Sequence, residues 1–135
     1  MRRYQFRGRN MALNVKKFGG SSVATTEKIM NVAKRVLSEK QPGDQIVMVV
    51  SAMGDTTDDL ITLANGITKD PYQYAREMDM LLTTGEQVSI ALLAMAFKSL
   101  GQPAISLTGP MAGLRTVSVH TKVLIKDIQP KRVHE

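Results

Sequence analysis

A lysine beside two glycines and two hydroxyls, directly after an apolar run, is a combination suited to holding phosphate. Lys17-Phe18-Gly19-Gly20-Ser21-Ser22-Val23 has that make-up. Paired glycines let a backbone approach a ligand closely and turn successive N–H groups toward an anion. The Lys17 ammonium adds a compact positive charge, and a helix opening near Thr25 would add the attraction of its dipole. The spelling is neither G-x-x-x-x-G-K-[ST] nor G-x-G-x-x-G, so it is neither a P-loop nor a dinucleotide fingerprint. Taken alone, Gly-Gly-Ser-Ser after a strand is more commonly an ordinary turn.

Three further segments share this polar, glycine-bearing character. Ser51-Ala52-Met53-Gly54-Asp55-Thr56-Thr57 follows the apolar run Ile46–Val50. Its Asp55 and Thr56 or Thr57 could simply cap the next helix, or the loop could meet a ligand as well. Thr83-Thr84-Gly85-Glu86-Gln87 reads as a glycine turn with an acid opening an apolar helix. There Glu86 is either a favourable first-turn carboxylate or a group that orients a substrate ammonium or hydroxyl. Ser106-Leu107-Thr108-Gly109 is the fourth. Ligands of open α/β sheets bind beyond the carboxyl ends of the strands, so loops of this kind at one edge reinforce each other.

The elements that must carry these loops follow from periodicity. Leu13–Phe18 reads as a strand. Thr25 or Thr26 caps a helix with Glu27 in its first turn, and Ile29, Val32, Ala33, Val36 and Leu37 form its apolar face. Gln41-Pro42-Gly43-Asp44 breaks that helix. Ile46–Val50 is a β-branched run of the type buried on both faces of a parallel sheet. A short helix runs from Thr56 or Thr57 to about Ile67, and a helical stretch opens at Asp70-Pro71. Gly85 divides that stretch from a helix over Glu86–Leu100. Ala104–Leu107 is expected as a third strand, Val123-Leu124-Ile125 as part of a fourth, and a last helix opens after Pro130. Strands alternating with helices predict an α/β fold with a mostly parallel sheet.

Composition narrows the function. With 135 residues the chain supports one core, and its 43% apolar and 22% charged residues suit a soluble, cytoplasmic protein. Without cysteine it has neither disulfides nor thiolate metal sites. His120 and His134 lack metal-ligand spacing, so no protein metal site is expected. The net charge of +6 comes from the ends: residues 18–114 hold seven basic and ten acidic residues. With three Phe and three Tyr besides, nucleic acid is not an expected partner, and neither is a membrane. Residues 1–11 read as a basic extension without order, Met11 as an alternative start, and 12–135 as an incomplete domain.

Val15-Lys16-Lys17-Phe18-Gly19-Gly20-Ser21-Ser22-Val23 resembles the opening signature of the aspartate kinases. So do Val49-Val50-Ser51-Ala52-Met53 with Thr57, the block Arg76–Gln87, and Ser106–Gly109 with Ala112-Gly113. The resemblance runs from about Ala12 to Val133. It implies a three-layer αβα amino acid kinase fold, here truncated. It also implies transfer of the ATP γ-phosphoryl group to the β-carboxylate of L-aspartate, the first step toward lysine, threonine and methionine. By matching positions, Lys17 would be catalytic, with Gly19, Gly20, Ser21 and Ser51 at the phosphates. Ser51, Thr57 and Glu86 would hold aspartate, and Mg²⁺ would arrive on ATP. The family's G-R-G-G-S-D-T-T loop, with its arginine and acid, has no counterpart in this chain, and Arg115 does not replace it. A homo-oligomer or a complementing C-terminal chain is an expected partner. Two alternatives follow: a non-catalytic aspartate- or phosphate-binding or partner-complemented half-domain, and a sister kinase for N-acetylglutamate. The Met78–Gln87 block disfavours the last.

Overall fold

Two parallel strands joined by one helix form the frame. In the computed structural model, which describes residues 3–5, 12–117 and 124–134, β2 (Ala12–Phe18) pairs in parallel with β3 (Gln45–Val50), from Leu13 opposite Gln45 to Phe18 opposite Val50. Helix α1 (Thr26–Glu39) makes the crossover. Its start is as predicted: the Thr25 hydroxyl accepts from the Lys28 N–H at 3.2 Å, and Glu27 sits in the first turn. The predicted apolar face is buried at Ile29, Val32, Ala33 and Val36.

Residues 1–11 were expected to lack order, yet Arg3–Gln5 forms a short strand, β1, antiparallel to β2. Pairing there satisfies backbone groups along an edge of β2 that would otherwise need water. The rest of that segment lies outside the described residues.

Helix α2 (Thr56–Ile67) matches its expected span. The following segment departs from expectation. After a single 3-10 turn over Pro71–Tyr74, helix α3 runs unbroken from Ala75 to Ser99, 25 residues, straight through Gly85. Gly85 is buried against Ala52 and Thr56. Interior glycine costs a helix about 1 kcal/mol relative to alanine, and here it permits a close approach that a side chain would crowd. With the turn before it, α3 is long and apolar enough to cross a bilayer by length and composition. In this fold it is a core helix, packed along α1 and α2 and burying Met78, Leu93, Ala96 and Phe97.

Val50 from β3, Ile29, Val32, Ala33 and Val36 from α1, and Leu93, Ala96 and Phe97 from α3 form one cluster, joined by Phe18, Ile46 and Met48. All the strand members occupy alternate positions, so α1 and α3 cover one sheet face. The other face is open at Val15 and Val49, 43% and 46% exposed. The expectation that β3 is buried on both faces therefore fails. An apolar run shows that a strand is greasy, but the helices present decide which faces are covered. A helix layer on a parallel-paired sheet is the predicted αβα fold in truncated form.

Residues 102–108, expected to contain the third strand, carry no ladder pairing. A strand is defined by its neighbour, and no described strand lies alongside to pair with it. Ala104 instead packs against the core cluster. Leu114–Thr116 (β4) and Ile125–Ile128 (β5) form a separate antiparallel pair. Val123 of the expected fourth strand lies outside the described residues, and the last helix, α4, is Lys131–His134.

The opposite end of the strands is tied by a buried polar pair. Asn14 donates its side-chain amide to Asp44 at 3.1 Å, and the same Asp44 oxygen accepts the Gln41 N–H at 3.2 Å. Both side chains are buried. Removing a buried acceptor strands its donors, so Asp44→Ala should lower folding stability by about 2 kcal/mol. Urea unfolding of the two proteins measures it, and an unchanged midpoint would show the tie to be dispensable.

Candidate functional site

At the carboxyl edge of the sheet, two loops are stitched together by their backbones. The Ser51 N–H donates to the Phe18 carbonyl at 3.3 Å, and the Gly54 N–H donates to the Gly20 carbonyl at 3.1 Å. Because β2 and β3 end level with one another, residues 19–23 and 51–55 leave the sheet side by side. Gly20–Val23 forms a 3-10 turn, closed further by the Ser22 N–H to the Gly19 carbonyl at 3.0 Å.

The two predicted glycines differ in role. A side chain at Gly19 would meet nothing within 4 Å, so space above it is open. A Cβ at Gly20 would lie 2.8 Å from the Ala52 carbonyl oxygen. Gly19 thus borders a volume that a ligand can use, whereas Gly20 permits the two loops to touch. Gly54, at φ +50°, turns the second loop back against Ala24.

Lys16 and Lys17 are separated by the period-two alternation of the strand. Lys16 turns toward the helix face and forms an ion pair with Glu39 at the end of α1. Lys17 is exposed on the open face and makes no ion pair among the described residues. Its charge is therefore left for something else. Lys28, which the sequence reading did not single out, reaches back from α1 to the Ser21 carbonyl at 3.0 Å and steadies the glycine turn.

The second loop passes directly into α2. Asp55 stands at the N-cap position but makes no side-chain capping bond. Thr56 does the closing instead, donating its hydroxyl to the Met53 carbonyl at 2.6 Å. Thr57 is half-buried in the first turn, and Ser51 is half-buried where β3 ends.

Glu86 is not at a helix start, as expected, but inside α3. Positions 86, 90, 93 and 97 lie along one helical stripe. Ile90, Leu93 and Phe97 of that stripe belong to the core, whereas Glu86 is exposed. The stripe packs on the core cluster, and Glu86, at its start, is exposed. The preceding Gly85 places its would-be Cβ 3.0 Å from the Ala52 methyl and 3.4 Å from the Thr56 methyl. Thr57 and Glu86 each follow a member of that contact, so the first three predicted segments converge at one edge.

Among the described residues, no hydrogen bond joins the fourth to them. Thr108 accepts the Ala112 N–H at 2.9 Å and Gly109 accepts the Leu114 N–H at 2.9 Å, forming a turn beside β4. Arg115 is exposed on β4. Ala52, buried at the junction, carries no chemical signature and escaped the sequence reading.

A parallel pair with glycine loops meeting at its carboxyl edge defines a class of protein, and the profile of the Amino acid kinase family matches residues 12–132. The chain belongs to that family. Within it, the similarities are to aspartate kinases. It is 54% identical over 118 residues to "Aspartokinase 2" of Bacillus subtilis, a match covering 87% of this chain and 28% of that protein. It is 52% identical over 125 residues to the aspartokinase of Corynebacterium glutamicum, covering 93% and 29%. The crystal structure of aspartate kinase from Synechocystis matches with a TM-score of 0.68 at 56% identity, over 76% of this chain and 17% of that one. The chain spans less than a third of the length of the curated relatives it matches.

Hydrogen bonds from Lys16, then Arg35, hold the Glu39 carboxyl below its ordinary range. A depressed folded-state value contributes stability above the unfolded value, about 4.3, that is lost as pH falls through the folded one. Between those two values Glu39→Gln should show a flatter decline of the urea midpoint than the parent. Parallel declines would show that the ion pair adds nothing.

Proposed function

We propose that this chain supplies the aspartate pocket and the phosphate-facing lysine of an aspartate kinase. The observation that supports this reading is the meeting of segments 19–23, 51–57 and 83–87 at one sheet edge, in a chain more than half identical to aspartokinases. The reaction passes the γ-phosphoryl group of ATP to L-aspartate. A β-carboxylate oxygen forms a bond to the γ-phosphorus as the bond to the bridging oxygen breaks, leaving ADP and 4-phospho-L-aspartate. The nucleophile is already ionised at neutral pH, so no general base is required.

Catalysis of this kind is positioning and charge neutralisation. Lys17, exposed and without an ion pair among the described residues, offsets charge on the transferring phosphoryl group. Gly19, Gly20 and Ser21 shape the phosphate turn. Ser51 stands where the two substrates meet. Thr57 and Glu86 hold aspartate, Glu86 through its ammonium. Mg²⁺, carried by the phosphates of ATP, adds further charge neutralisation. The family-typical arginine and second acid come from a complementing C-terminal chain or segment, since over two thirds of each relative lies outside the match. The product is the acyl phosphate that opens lysine, threonine and methionine synthesis in the cytoplasm.

The test is hydroxylamine trapping of acyl phosphate from ATP and aspartate, using the 135-residue chain with and without the remaining portion of a relative. Lys17→Ala should abolish turnover while sparing aspartate binding, and Lys16→Ala should keep it. Turnover retained without Lys17 would remove that residue from the chemistry. Glu86→Ala should weaken aspartate binding about tenfold or more, the scale of one lost charge-assisted contact, with little change for ATP. Equal losses for both ligands in titration calorimetry would reassign Glu86 to a structural role.

A further inference from the structure

Ala52 is held between two glycines that come from different parts of the chain. Its carbonyl oxygen lies 2.8 Å from where a Gly20 Cβ would stand, and its methyl lies 3.0 Å from where a Gly85 Cβ would stand. Ordinary carbon contacts are near 3.5–4.0 Å, so a side chain at Gly20 requires the Ala52 backbone to shift, and one at Gly85 requires the Ala52 methyl to give by a few tenths of an ångström. The residue is 4% exposed and follows Ser51 directly. One small buried residue therefore fixes the approach of the β2 loop on one side and of α3 on the other.

We propose that Ala52 is a positioning residue, and that the Gly20–Ala52–Gly85 clasp sets the spacing between the phosphate-facing and aspartate-facing halves of the site. The two contacts are of different kinds. The Gly85 contact involves the Ala52 side chain and reaches Glu86, the next residue along α3. The Gly20 contact involves the Ala52 backbone and reaches the turn beside Lys17. Widening the first should displace Glu86 from Thr57, and widening the second should disturb the phosphate turn. The ligands assigned to each half rest on the function proposed above, but the steric pairing does not.

Size exchange separates the two contacts. Ala52→Gly removes the methyl that a Gly85→Ala side chain would strike and leaves the carbonyl that a Gly20→Ala side chain would strike. Gly85→Ala should weaken aspartate binding by about tenfold, as misplacement under overpacking strain implies, with MgATP affinity changed less than about twofold. Adding Ala52→Gly should restore aspartate affinity to Gly85→Ala and should leave Gly20→Ala unrescued. Calorimetric titration of the 135-residue chain with aspartate and with MgATP reads both effects. Thermal unfolding of the same six proteins gives two double-mutant cycles, with favourable coupling of position 52 to 85 and none to 20.

Coupling at neither position, or equal coupling at both, would overturn the clasp. Equal loss of aspartate and MgATP affinity in Gly85→Ala would overturn its positioning role. If the parent chain binds no aspartate, the proposed pocket fails for the isolated chain, and the unfolding cycles alone decide whether the clasp exists.

Discussion

The register between β2 and β3 governs this molecule. Phe18 stands opposite Val50, so both strands stop at the same level and their loops leave from one edge. A slip of one residue would exchange Lys16 with Lys17 across the sheet, taking the exposed Lys17 into the helix layer and the Glu39-paired Lys16 out. Alternation on β2 and β3 opposes such a slip, because Phe18, Ile46, Met48 and Val50 all face the core. The buried Asn14–Asp44 bond opposes it again from the other end.

Beyond the sheet, smallness replaces greasiness as the controlling property. The polar loops are anchored in the core by Val23 and Met53, and between those anchors they meet by close backbone approach. Hydrogen bonds from Ser51 to Phe18 and from Gly54 to Gly20 fasten the loops, and Gly85 brings a long helix down onto them. Such contacts leave the ligand-facing groups little freedom to drift, which favours catalysis by placement.

The parts of this arrangement that the sequence made legible are those with local causes. Helix α1 could be read from Thr25, Glu27 and its apolar spacing, because cap and periodicity are written in neighbouring residues. That the loops after β2 and β3 leave from one edge was legible through the rule that α/β sheets bind ligands at carboxyl edges. Gly85 was misjudged because a glycine locally signals a break, and only residues far earlier in the chain, Ala52 and Thr56, explain why the helix needs one there. Ala104–Leu107 has strand composition, but composition does not provide a neighbour. Coverage of Val15 and Val49 depends on a helix layer, which neither valine can encode.

The short strand β1 has a consequence for how the sheet can extend. β2 is hydrogen-bonded along both sides, to β1 on one and β3 on the other. Its antiparallel three-residue neighbour offers a poor template for another strand. The outer side of β3 has no partner among the described residues, and any strand added there meets six residues of extended backbone. The sheet is thus polarised, with a closed flank and a growing flank. Any added segment that pairs along the full length of β3 would lengthen the same edge on which Lys17, Ser51 and Thr57 already lie.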